Sequence, residues 1–372
     1  MRTRVLVVLL AATGFGCKSK DEPKPATSGS AAAAAAPAPR SRASQGPLPK
    51  LPALVVAADP KGKEKIELGH LLFFDKRLSG GTDRACYSCH QNEDGNGGHD
   101  PIAIGSGDKP LTRHAPVIWN VGYWNNALYW DGRAKTLEDT ATGAWGGGNM
   151  GGAPAGAKPE ESVAALDKRA AELAAIPGYK PLFAAAFPDA KEVKAEHVTA
   201  ALAAYMRTLI CDDTAYDRYA GGEKRALDEA QQKGLDLFAG KAKCGTCHAP
   251  PLFSTAMGLD GGAYFNVGIG TDGVSEDQID IGRMRVSSQP TDWAAFKPPS
   301  LRNIRNSPPY FHNGSVAKLE DAVKLMSSGG IPNKNKSPLL DDVKLSDAER
   351  ADLIAFLGGL DCGGKLEQPK LP

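Results

Sequence analysis

The sequence predicts a mainly α-helical protein built from two similar domains joined by long loops. Three observations carry this. The pattern Cys-x-x-Cys-His occurs twice, as "CYSCH" at 86–90 and "CGTCH" at 244–248. A helix-periodic segment with Phe near its end precedes each copy, "KIELGHLLFFDKRLS" before the first and "LDEAQQKGLDLFAGKAK" before the second. A further apolar-faced helix follows each copy far downstream, "EHVTAALAAYMRTLI" at 196–210 and "LSDAERADLIAFLGGL" at 345–360.

The elements follow in chain order. Arg2 and Arg4 precede an apolar run at 5–12, and Cys17 closes residues 1–17. A short apolar stretch behind positive charge reads as an export signal. Gly14-Phe15-Gly16-Cys17 resembles a lipoprotein cleavage box, although Gly14 stands where Leu is usual. Lipidation of Cys17 and simple cleavage nearby both stay open, and either places the mature chain in the periplasm, with a membrane tether in the first case. Residues 18–50 are rich in Ala, Pro, Ser and Lys without apolar periodicity, so they read as a disordered tether. Residues 51–221 form the first domain and 222–372 the second, with Gly221-Gly222 as the boundary. Asp228 with Gln231, and Ser346 with Glu349, make capping pairs at the starts of the two helices in the second domain. With 44 Lys+Arg against 43 Asp+Glu, no basic excess argues for nucleic acid.

The chain has seven cysteines. Cys-x-x-Cys-His is the attachment pattern of c-type haem: two thiols one turn apart bond the porphyrin, and the next imidazole meets the iron. A closed zinc site wants four ligands close together, whereas these pairs are 158 residues apart and each carries its own His. The reading is therefore two cytochrome c-like domains, each with one covalently bound haem c, held by Cys86, Cys89 and His90 and by Cys244, Cys247 and His248. Cys211 and Cys362 each follow a closing helix. Outside the cytoplasm they would pair as an interdomain disulfide, with two separate buried thiols as the alternative.

Beyond these motifs, "RHAPVIWN", "YWDGRAKTLED", "FKPPSLRNIRNSPPYFHNGSVAKLEDAVKLM" and "LIAFL" stand in one order over residues 51–360, and the sequence resembles the bacterial dihaem cytochrome c peroxidases. The methylamine-utilisation dihaem enzyme is related to them. The resemblance implies an oxidoreductase that reduces hydrogen peroxide at the first haem with electrons entering at the second from a small cytochrome c or cupredoxin. It implies Met326 as the sixth ligand of the second haem, where a thioether raises the potential; a Tyr stands there in the enzyme that matures a tryptophan-derived quinone, so Met326 favours the peroxidase branch. Trp130 matches the Trp between the two haems and would relay electrons. Asp131 and Arg133 would order its loop or a haem propionate. The resemblance extends to a homodimer.

The sequence departs from that pattern on the distal side of the first haem. Ser106 stands where many members have a capping His, which would leave the first haem open without reductive activation. Thr140 and Asn149 stand opposite a Gln and a Glu, and neither titrates near neutrality. Replacement acids by sequence proximity are His99, Asp100, Glu160 and Glu161, and Met150 is a candidate cap on the iron. The family's interdomain calcium would involve His114, a poor ligand standing at an Asn position, and carbonyls near Ser307 and Pro309, so calcium stays open. "DGNGGHD" lacks the closing acid of a calcium loop and reads as a polar turn. Two other functions keep the fold: oxidation of a different substrate, including a protein side chain, and a non-enzymatic dihaem electron carrier.

Overall fold

The structure is a computed structural model that describes residues 48–124, 126–256 and 263–372. The export signal, Cys17 and all but the last three residues of the tether lie outside the described residues. The chain is mainly helical: α1 (Gly62–Phe74), α2 (Leu137–Gly146), α3 (Pro159–Ala175), α4 (Lys180–Ala186), α5 (Ala195–Met206), α6 (Ala215–Ala220), α7 (Glu229–Ala239), α8 (Met284–Ser287), α9 (Leu319–Ser327) and α10 (Asp347–Gly358). Among the described residues β-structure is limited to isolated bridges such as Leu128 with Ala134 and Tyr310 with Val316. No helix among them is long and apolar enough to cross a membrane.

Two helix crossings built on one device explain the two cytochrome c-like cores. In the first, α1 crosses α5 at Gly69, where a Cβ would lie 1.9 Å from the Ala201 carbonyl oxygen. In the second, α7 crosses α10 at Gly234, where a Cβ would lie 1.9 Å from the Asp352 carbonyl oxygen. Only glycine allows backbones to approach this closely. Four residues beyond each glycine a Phe meets an aromatic of the crossing helix edge to face: Phe73 with Tyr205 and Phe238 with Phe356, both at 5.3 Å. The apolar faces of these pairs anchor one core with Leu68, Leu72, Leu202 and Trp145, and another with Leu235, Leu353, Phe356 and Tyr310.

The local start signals form as the sequence leads one to expect. Asp228 accepts from the Gln231 backbone at 2.8 Å and Ser346 from that of Glu349 at 3.2 Å, each with the reciprocal bond. The helix expected over 196–210 ends earlier, at Met206. Beyond it the chain turns so that Cys211 reaches Asn120, whose side chain accepts from the Cys211 N–H at 2.8 Å and donates to its carbonyl at 2.9 Å.

Cys211 and Cys362 form a disulfide. Past it the C-terminal segment returns over the first core, where Leu366 is buried and Leu371 packs. In the other direction, Tyr216 of α6 lies wholly inside the second core. The fully buried Arg302 fastens the junction: it donates to both Asp217 carboxylate oxygens at 2.6 and 2.7 Å, to the Cys211 carbonyl at 3.1 Å and to the Pro251 carbonyl at 2.9 Å.

Candidate haem sites

Each Cys-x-x-Cys-His motif folds as a single tight turn. The Cys89 N–H donates to the Cys86 carbonyl and the Cys247 N–H to the Cys244 carbonyl, both at 3.2 Å, which puts the two sulfurs of each pair one turn apart. Burial pushes the Cys86 and Cys244 thiols up to about 12 and Cys247 up to about 11. The histidine rings are held by backbone carbonyls. His90 Nδ1 donates to the Asn96 carbonyl at 3.2 Å, and His248 Nδ1 faces the carbonyls of Phe253 at 3.0 Å and Pro299 at 3.2 Å. A carbonyl can only accept, so each Nδ1 carries the proton and Nε2 keeps its lone pair. Burial lowers His90 to about 4 and lowers His248 as well, holding both rings neutral.

Both motifs line one cavity of about 440 Å³ whose walls are largely apolar, including Phe73, Trp145, Leu202, Phe238, Leu353 and Leu357. Trp130, Thr140, Asn149, Met150 and Met326 line it too. Two thiol pairs, two imidazoles with free Nε2 atoms and an apolar cavity fit two covalent haems. Lys297 adds to the fit. It lines the cavity with its ammonium 3.9 Å from the Trp124 ring centroid, and burial pushes it down to about 7 against a weaker opposing pull from Asp131. A cavity cation without a close carboxylate partner is what a porphyrin's carboxylates would meet.

Trp130 occupies the seam between the halves. Its indole N–H donates to the His114 carbonyl at 2.8 Å, and its own carbonyl accepts from the Lys297 N–H at 2.8 Å. The next residue, Asp131, is buried and structural: it accepts from Arg113 at 2.7 Å and Arg133 at 2.9 Å, and Arg113 also grips Asp280. Gly132, at φ +69°, is a glycine because a Cβ there would meet the Tyr264 hydroxyl at 1.7 Å. Met326 sits half-buried on α9.

The positions expected on the distal side of the first site are Thr140, Asn149 and Ser106, and the first two line the cavity. The Thr140 hydroxyl donates to the Thr136 carbonyl at 2.9 Å, one turn back in its own helix. Ser106 does not line the cavity, since its hydroxyl donates to Asp83 at 2.7 Å and its N–H to the Asn149 carbonyl at 3.1 Å. None of the replacement acids suggested by proximity reaches the cavity. His99 is exposed and pairs with Asp94, Asp100 is exposed, and Glu160 and Glu161 sit at the exposed start of α3. Asp341 is the single carboxylate among the described lining residues, and it pairs with Lys243 beside the second motif. Calcium does not fit at His114, whose Nδ1 donates to the Asp100 carbonyl at 2.9 Å. Among the described residues no three His, Cys, Asp or Glu side chains gather as a metal cage.

Lys297 and the Arg302–Asp217 pair carry no motif that marks them in the sequence. A lone Lys in the apolar run "WAAFKPPSL" was the available signal for the first.

Two covalent-haem motifs on two cytochrome c-like cores define a dihaem c-type oxidoreductase. Comparison with known proteins agrees. The sequence pattern of the di-haem cytochrome c peroxidase family matches residues 63–225. The chain is 34% identical to the methylamine utilization protein MauG of Methylorubrum extorquens, covering 85% of this chain and 83% of that protein. It is also 34% identical to the cytochrome c551 peroxidase of Pseudomonas aeruginosa, covering 84% and 83%. A solved MauG-like protein associated with microbial copper homeostasis superposes with a TM-score of 0.72 at 32% identity, over 87% of this chain and 95% of that one. The chain belongs to the di-haem cytochrome c peroxidase family. Overall identity does not separate its peroxidase and MauG branches.

Proposed function

We propose that the protein reduces hydrogen peroxide to water outside the cytoplasm, with electrons from a small cytochrome c or cupredoxin. One peroxide takes two electrons and two protons and yields two waters. The haems supply the iron at which peroxide binds and the path by which electrons arrive. The chain's own residues do the rest. His90 and His248 present neutral imidazoles held by backbone carbonyls. Met326 lines the cavity, and as sixth ligand of the second haem its thioether would favour the reduced state and suit the entry of electrons. Trp130, hydrogen-bonded to residues of both halves, is the aromatic relay. Asn149 lines the cavity and would offer its amide to bound peroxide, Thr140 would offer only an acceptor, and neither supplies a titrating proton.

The observation that carries the open first site is the placement of Ser106, tied to Asp83 and away from the cavity. The resting site therefore lacks the His cap and needs no reductive activation. With Asp341 the single carboxylate among the described lining residues, a second reading is oxidation of another substrate, because a positioned acid–base group is typically worth about 10²–10⁴ in rate. Steady-state peroxide consumption with a reduced small cytochrome c tests the proposal. Turnover well above free haem supports it; turnover equal to free haem sinks it.

A further inference from the structure

The first proximal histidine is held by more than its own loop. The Asn96 carbonyl accepts from His90 Nδ1 at 3.2 Å, and the Asn96 amide donates back to the His90 carbonyl at 3.2 Å. Within the first half, the Asn96 carbonyl also accepts from the Ile118 N–H at 3.2 Å and its side-chain oxygen from the Trp119 indole N–H at 3.0 Å. Residues 91–97 are gripped from two further sides. On one side the Asn92 side chain pairs with the backbone of Leu366 in the C-terminal tail: Oδ1 accepts from the Leu366 N–H at 2.8 Å, and Nδ2 donates to the Leu366 carbonyl at 2.9 Å. The same Oδ1 also accepts from the Asn96 amide at 3.1 Å. On the other side Asn303, buried in the second half, donates to the Gly95 carbonyl at 2.9 Å and accepts from the Cys362 N–H at 3.1 Å, where the tail begins. The tail is fixed along its length by the Cys211–Cys362 disulfide, by His70 Nε2 against the Glu367 carbonyl at 2.7 Å and by Arg77 on the Pro372 carbonyl at 2.9 Å. These bonds span 274 residues of sequence at Asn92–Leu366, so the second half's C-terminus reaches the hydrogen bond behind the first iron ligand.

We infer that the C-terminal tail, acting through Asn92 and Asn96, is a positioning element of the first haem site. The tail holds the Asn96 carbonyl on the His90 N–H, and that bond sets how strongly the imidazole donates to the iron. A stronger bond gives the imidazole more anionic character and favours the ferric state; a looser one favours the ferrous state. His248 draws its acceptors from Phe253 and Pro299, with no tail residue, so the second site is an internal control. The inference rests on the two-haem reading and deepens it.

The test uses the folded holoprotein. A protease recognition sequence is inserted between Gly363 and Gly364, where a Cβ on Gly363 would meet open space, and the tail is cut after purification. Asn92→Ala is the companion variant, and Asn92→Asp, which keeps the acceptor and loses the donor, is the conservative one. Covalent haem content is read first, and a preparation without two covalent haems refutes the two-haem reading itself. With both haems present, resonance Raman and a spectroelectrochemical titration follow. Cutting the tail is expected to lower the iron–histidine stretching frequency of the first haem. It should also shift that haem's equilibrium about tenfold towards ferrous, a rise of about 59 mV for a one-electron couple. The second haem should not move. Asn92→Ala should do the same and Asn92→Asp should fall between. If the cut protein and Asn92→Ala both keep the wild-type frequency and potential, the inference is wrong.

Discussion

Replacing Asp217 by Asn removes the countercharge of a fully buried guanidinium. Arg302 has no exposed surface, and both of its terminal nitrogens bond the Asp217 carboxylate, at 2.6 and 2.7 Å. The Asp217→Asn variant keeps the volume and leaves the Arg302 charge enclosed. Breaking such a pair costs about 3–5 kcal/mol, against about 0–1 kcal/mol for an exposed ion pair. The loss is not local, because the same guanidinium holds the carbonyls of Cys211 at the junction and Pro251 just past the second haem motif. Urea unfolding of the holoprotein, followed by far-ultraviolet circular dichroism, measures it, with visible absorbance of the second haem read in parallel. Replacing both partners, Asp217→Leu with Arg302→Met, should cost less than Asp217→Asn alone, since no buried charge is then left unpaired. An Asp217→Asn penalty below about 1 kcal/mol would refute the reasoning, since the pair would then behave as if solvated.

Three further outcomes are expected. Met326→Ala should lower the potential of the second haem and convert it from low to high spin, read by spectroelectrochemistry; an unchanged second haem would remove Met326 from its coordination. Gly69→Ala and Gly234→Ala should each destabilise their own core by at least the ~1–3 kcal/mol of ordinary overpacking, because the opposing atoms are backbone carbonyls that cannot rotate away, and thermal unfolding checks this. Burial pushes the Asp75 and Asp217 carboxyls up, but hydrogen bonds from Arg77 and Tyr179 to the first, and from Arg302 and Thr214 to the second, outweigh it and leave both below the ordinary value. A depressed folded value gives stability that is complete above the unfolded value of about 3.9 and lost as pH falls below it, so urea midpoints should drop below about pH 4, with a shallower drop in Asp217→Asn.

What the sequence disclosed was what short spacing determines. The thiol pairs, their histidines, the Asp228 and Ser346 caps and the Phe-bearing helices are local patterns, and each forms. Contacts across long separations were hidden. Nothing near Asn92 announces Leu366, and nothing near Arg302 announces Asp217, because those pairings exist only once the chain has doubled back. Sequence proximity misled at His99, Asp100, Glu160 and Glu161, which stand near the distal segment in the chain but on the outer surface of the fold. Lys297 was hidden for a different reason: whether a Lys lines a cavity or a surface depends on packing that no single window of sequence contains.

The central claim is an oxidised first haem with no side chain as sixth ligand, neither from position 106 nor from Met150. Electron paramagnetic resonance of the fully oxidised protein tests it most directly. The account predicts one high-spin ferric signal from the first haem beside one low-spin signal from the second. Two low-spin signals in the oxidised protein would contradict it.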